Sequence, residues 1–213
     1  MSTKGKGGSK CKGLGAAGPK KHRVVAKDAV VSSTPGIMRI AKAGGSPKTT
    51  KLAIQELKTH MESMIEKIIK DAVTITEHSR KKTISSSAIK YAYEIVYREK
   101  YYGTPPSEGC GKTKKYKKKS KGTLAKEVIH YQIQTDCFLL QKAPFRGYVR
   151  KIVDELHISK EAFLVLQDIV EHSTKLLVDV CVKLMIHRKA QILSARDVSL
   201  ARQILGHRTP LFP

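Results

Sequence analysis

Acidic residues are scarce in this chain: 18 Asp and Glu stand against 41 Lys and Arg in 213 residues, a formal net charge of +23. That imbalance excludes a charge-balanced surface and calls for a polyanionic partner. Cysteine is scarcer still. Cys11, Cys110, Cys137 and Cys181 form no CxxC pair and no Cys/His group at metal-ligand spacing, so neither a zinc ribbon nor a disulfide framework is expected, and a reducing compartment fits best. Long apolar runs are missing as well. The most apolar stretch, residues 176–186, is interrupted by Asp179 and Lys183, and a membrane-spanning helix needs about 20 apolar residues. No N-terminal stretch has the apolar core of a secretory signal, so a soluble protein is expected.

Catalytic arrangements are equally thin. No Ser/His/Asp set, glycine-rich phosphate loop or paired carboxylates stands out, and the chain is expected to be no enzyme, with no cofactor and no metal.

The 40% of hydrophobic residues is enough to build cores, and their distribution separates folded from unfolded stretches. Residues 1–30 form a basic tail: the first 23 hold seven basic residues, six glycines and no acid, too little apolar surface to offset chain entropy. Residues 103–122 are a lysine-rich linker, with Gly103, Pro105, Pro106 and Gly109 breaking regular structure and seven lysines between Lys112 and Lys121. The linker separates a first domain, residues 31–102, from a second, residues 123–205, with a short C-terminal tail over 206–213.

Within the first domain, Pro35 opens a short amphipathic segment carrying Ile37, Ile40 and Ala41, and Gly44-Gly45 closes it. Apolar residues at 54, 57, 61, 64, 65, 68, 72 and 75 then stripe one face of a helix expected over 51–79, which holds neither Pro nor Gly. A further short helix carries Ile89, Ala92, Tyr93 and Val96. The second domain repeats this plan after an extra helical segment around 124–135: Phe145, Val149 and Ile152 mark a short helix, Phe163, Leu166, Val170, Leu177, Val180 and Leu184 a long one, and Val198, Ala201 and Ile204 the last. The halves align at an offset of 109, pairing His78 with His187, Ile84 with Leu193, Ser85 with Ser194, Ile89 with Val198 and Ala92 with Ala201, an internal duplication. One short-long-short unit buries little of its own stripe. Two can cover each other, so an all-α fold with the halves clasped across crossed long helices is expected.

These residues carry a resemblance. Gly5-Lys6-Gly7-Gly8, Gly13-Leu14-Gly15, Lys21-His22-Arg23, the run Asp71 to His78 and Lys81-Lys82-Thr83 resemble eukaryotic histone four. Gly122-Thr123-Leu124-Ala125, Tyr131-Gln132, Ala143-Pro144-Phe145, Leu166-Gln167, Ile186-His187 and Arg196 to Arg202 resemble histone three. A fusion of the two in one chain is similar to the histone doublets of large DNA viruses of the Marseillevirus group. The resemblance implies two tandem histone folds paired as an intramolecular handshake, packaging viral double-stranded DNA in nucleosome-like particles through phosphate and minor-groove contacts. It also implies action in the virion and the viral factory of the host cytoplasm, or in the host nucleus. A histone-fold transcription factor reading promoter sequence is the alternative.

By the same resemblance, DNA contacts fall to Lys21 and Arg23 in the tail, Arg39 and Lys42 on the first short helix, Lys48 and Thr49 in the loop after it, and Arg80, Lys81, Lys82 and Thr83 in the next. In the second half they fall to Lys126, His130 and Tyr131 on the extra helix, Lys142, Arg146 and Arg150 around the short helix, and Arg188 and Lys189 in the last loop. A solvated basic face is the simpler reading of any one of them. A second copy of the chain is expected to pair through Leu184, His187, Asp197, Leu200 and Ile204, with His187 bonding Asp197 of the other copy; an ordinary helix-terminal histidine is the alternative. A second doublet, carrying the other two core-histone types, is expected at His78 and Tyr91, where a plain surface histidine is the alternative. Met38 and Ala43 replace arginines of histone four, Lys48 replaces its groove-inserting arginine, and Gly147, Gln141 and Ala190 replace basic positions of histone three. Lysine lacks the planar fork of arginine, so a weaker grip on DNA is expected.

Overall fold

The structure is a computed structural model and describes residues 31–106, 137–153 and 156–208. The tail of residues 1–30, the segment of the extra helix and most of the linker lie outside the described residues. Six helices and two two-residue strands are described: α1 (Thr34–Ala43), α2 (Lys51–His78), β1 (Thr83–Ile84), α3 (Ser86–Tyr97), α4 (Lys142–Val153), β2 (His157–Ile158), α5 (Lys160–His187) and α6 (Ala195–Arg208).

Local chemistry sets these boundaries. Pro35 sits in the first turn of α1, where its missing N–H costs nothing. The side chains of Thr50, Ser85 and Ser159 accept hydrogen bonds from the backbone N–H groups of Ala53, Ala88 and Ala162, capping α2, α3 and α5. Both long helices run for 28 residues, starting and stopping at the offset of 109 read from the sequence. Two residues past their ends, Arg80 (φ 53°) and Lys189 (φ 55°) adopt the left-handed conformation that turns the chain away. The duplication thus extends to single backbone angles.

The halves clasp each other as expected. Beyond its own neighbours, α2 packs against α4, α5 and α6, while α5 packs against α1 and α3. One core results, containing Ile37, Leu57, Ile65 and Ile68 from the first half and Phe145, Leu166, Val170 and Leu177 from the second. Each such fully buried side chain contributes about 1.5–3 kcal/mol. The end of α1 approaches α5 so closely that a Cβ at Gly44 would lie 2.5 Å from Cγ1 of Val178, a contact only glycine permits.

Polar links also cross the interface. Tyr148 donates to Glu66 at 3.0 Å, Tyr101 donates to Asp168, and Arg39 donates to the Leu139 carbonyl at 3.4 Å. Glu171 is buried on α5. Its carboxylate accepts from the backbone N–H groups of Leu139 and Leu140 at 2.9 and 3.0 Å and from Gln167 at 2.9 Å. The segment entering α4 is thereby pinned to α5. Burial pushes the Glu171 carboxyl above its usual range despite these bonds.

The cysteine expectation needs correction, because Cys137 is disulfide-bonded although the spacing points to no such bond. Pairing depends on proximity in the fold, which sequence spacing does not report. Cys181 is free and buried, its thiol pushed up to about 12 by burial and by Asp197, which leaves it unreactive. No helix among the described residues is long and apolar enough to cross a membrane.

Candidate nucleic-acid interface

The clasp brings the loops of one half beside those of the other, making two loop pairs related by the 109-residue offset. In the first pair, the Lys48 carbonyl accepts from Leu193 N–H at 2.9 Å, and the Leu193 carbonyl accepts from Thr50 N–H at 3.0 Å. A parallel bridge joins Thr49 to Leu193. In the second, β1 and β2 run parallel, with Thr83 opposite His157 and Ile84 opposite Ile158. Each pair lies at the capped N-terminus of a long helix, α2 in the first and α5 in the second, where unsatisfied N–H groups and the helix dipole favour phosphate.

The second pair is strongly cationic. Arg80, Lys81, Lys82 and Thr83 are all exposed, with Arg80 held in its turn by a bond to the Glu77 carbonyl at 2.8 Å. Arg146 and Arg150 of α4 stack over the Phe163 ring at 5.5 and 5.8 Å. Phe163 lies in the first turn of α5, so both guanidinium groups are carried to the end of the molecule that holds β2. Cation–π stacking fixes their stems at little cost in charge.

The first pair is built differently. Lys42, Lys48 and Thr49 border one cavity with Met38, Pro47 and Ile192. Lys189 is exposed, but Arg188 is tied down: Nε and one terminal nitrogen donate to Asp197 at 3.2 and 2.8 Å, and that nitrogen also reaches the Ile192 carbonyl at 3.3 Å. Its charge is therefore largely offset by a carboxylate. Arg39 is half-buried and used in the bond to Leu139. Lys142 is half-buried at the start of α4. Lys21, Arg23, Lys126, His130 and Tyr131 lie outside the described residues.

The residues named for contacts with other chains divide. His78, His187, Tyr91 and Leu200 are exposed, and Leu184 and Ile204 are half-buried. Ile186 adds a 64% exposed apolar side chain beside them. Asp197, by contrast, is buried and occupied within the chain: Oδ2 also accepts from the Ser194 N–H and hydroxyl at 2.9 and 2.8 Å. Burial pushes its carboxyl up, but the Arg188 and Ser194 bonds more than offset this and hold it below the usual range.

Several residues that sequence reasoning misses come forward in the structure. Glu171 is a carboxylate inside an apolar stripe, and that is its only signal in the sequence. Periodicity places Phe163 in the core, while its ring also supports Arg146 and Arg150. His60 is buried on α2 near Arg202, an apolar-face histidine with no motif around it.

Comparison with known proteins matches each half separately. Residues 35–93 match the family described as "Histone-like transcription factor (CBF/NF-Y) and archaeal histone". Residues 121–204 match the core histone domain, a family that spans all four core-histone types. The crystal structure of the histone from Methanopyrus kandleri superposes with a TM-score of 0.52 at 16% identity, covering 80% of this chain and 92% of that one. Two units, long helices packed on each other across the halves and two parallel loop pairs thus make this chain a tandem histone-fold protein.

Proposed function

We propose that the chain is a core-histone doublet that packages double-stranded DNA by gripping phosphates at its two loop pairs, without reading base sequence. The observation that carries the reading is the second loop pair, where Arg80, Lys81 and Lys82 stand exposed beside Phe163-stacked Arg146 and Arg150 at the N-terminus of α5. Contacts of this kind are aimed at phosphate, which fixes register and carries no sequence information. The net charge of +23 and the resemblance to viral doublets support double-stranded viral DNA as the cargo, and the virion and viral factory, or the host nucleus, as the place of action. A second copy is proposed to pair through Ile186, His187 and Leu200, and a second doublet through His78 and Tyr91. No catalytic role is proposed.

The family match over 35–93 names transcription factors, so a sequence-reading role is the second hypothesis. Competition binding separates the two. Unrelated duplex sequences are expected to compete equally and RNA duplex poorly; preference for one promoter-like sequence would favour the second reading.

A further inference from the structure

Cys137 carries a covalent bond that phosphate binding does not use. The residue is disulfide-bonded and, at 4% exposed, buried. Cys181 is free, so the partner is Cys11 or Cys110. Either partner ties a remote point of the chain to the start of the run Cys137-Phe138-Leu139-Leu140, all four of whose residues are buried.

That run is a seam between the halves. Leu139 and Leu140 donate their N–H groups to Glu171 of α5 at 2.9 and 3.0 Å, and the Leu140 carbonyl accepts from Gln167 of the same helix at 3.2 Å. The Leu139 carbonyl accepts from Arg39 of α1, in the other half, at 3.4 Å. Every one of these fastenings is noncovalent and opens whenever the run lifts locally. The disulfide is the exception, and it sits two residues from the first of them. A covalent anchor at that point limits how far the run can leave α5 and α1, so its presence or absence sets how readily the seam opens.

The bond is also within reach of a reductant. Cys137 lines a cavity of about 240 Å³ together with Phe138, Gly103, Thr104 and His172. Gly103, Thr104 and His172 are exposed, so the cavity opens to solvent and a small thiol can enter it. Cys181, by contrast, is wholly buried with its thiol pushed up to about 12, and does not take part.

We infer that the Cys137 disulfide is a redox latch on the seam, fastened under oxidising conditions and released by small thiols that enter through this cavity. In the release step a thiolate of the reductant attacks the disulfide, one cysteine leaves as a thiolate and takes up a proton, and a mixed disulfide forms with the other. A second thiol of the reductant then displaces that cysteine. The chain gains two electrons and two protons as two thiols, and the reductant departs as its own disulfide.

The test uses the full chain purified without reductant. Alkylation after denaturation should modify two of the four cysteines in the untreated chain and all four after treatment of the folded chain with dithiothreitol, with Cys137 among the newly modified. The closed loop spans 27 positions or more, so reduction should lower the melting temperature by about 5–12 °C. It should also accelerate hydrogen exchange at the amides of Leu139 and Leu140, and reoxidation should restore both. Cys137→Ala should melt near the reduced chain with or without dithiothreitol, while Cys181→Ala should keep the full response. Should either variant fail to fold, the two redox forms of the unaltered chain still decide the matter. Reduction that leaves melting and exchange unchanged overturns the inference. So does a bond that dithiothreitol cannot open in the folded chain, which makes it a fixed staple, and so does Cys137 already alkylated in the untreated chain.

Discussion

Lowering the pH should loosen the clasp through His60. This residue is 3% exposed on α2, and burial, with the positive charges of Arg202 and Lys67 adding to it, holds its imidazole down to about 4 from 6.5. Arg202 belongs to α6, which packs against α2, so part of the shift depends on the second half being in place against the first. The sign follows from linkage. A depressed histidine is neutral in the fold and takes up a proton more readily when unfolded, so its contribution is whole above about pH 6.5 and is lost as pH falls towards 4. The shift is equivalent to about 3 kcal/mol at its limit, and about 2 kcal/mol is lost between pH 7 and pH 5. The perturbation is His60→Met, which keeps an apolar side chain of similar reach and cannot titrate. Denaturant unfolding of both proteins at pH 7 and pH 5, without DNA, gives four stabilities. Other groups titrate too, Glu171 with the opposite sign because its carboxyl is raised, but they are common to both proteins and largely cancel in the difference. The unaltered chain should lose about 2 kcal/mol more than the variant on going to pH 5. Equal losses would mean that His60 titrates in the fold as it does in the open chain, and that the cover supplied by α6 is not there.

Three further outcomes follow from the geometry. Replacing Arg80, Lys81 and Lys82 by alanine should weaken binding to all duplex sequences alike and reduce the slope of log affinity against log salt by about 3, close to one per lost phosphate contact; an unchanged slope would remove this loop from the interface. Glu171→Ala should leave the N–H groups of Leu139 and Leu140 without their acceptor, costing about 2–4 kcal/mol and accelerating hydrogen exchange at those two amides specifically. Cleavage within the Lys112–Lys121 stretch, with reductant present, should leave the halves co-eluting at the mass of the intact chain, because the clasp is made by α1 to α6; separation of the halves would refute it.

Much of this fold was legible in the sequence because helix periodicity and the 109-residue repeat are long signals. A stripe of eight apolar residues set α2 almost to the residue, the stripe from Phe163 to Leu184 and the repeated His, Ser and Ala pattern placed α5 without fixing its ends, and Pro35 and Gly44 bounded α1. The loop pairs were not legible, since β1 and β2 are two residues each and exist only because Ile84 and Ile158 are brought together by the clasp. The site was legible as a set of basic residues and not as an arrangement. Nothing local shows that Arg188 is spent on Asp197, that Phe163 carries two arginines, or that Met38 and Ile192, far apart in sequence, share a cavity. Buried polar anchors such as Glu171 are hard to foresee for the same reason: their partners are backbone groups more than thirty residues away.

Nuclease digestion of duplex DNA reconstituted with the full chain, on several unrelated sequences, with and without a candidate second doublet, puts the packaging reading to its most direct test. Protected fragments of one discrete length, the same for every sequence, are the predicted result. DNA digested evenly despite bound protein, or protection confined to one sequence, would contradict it.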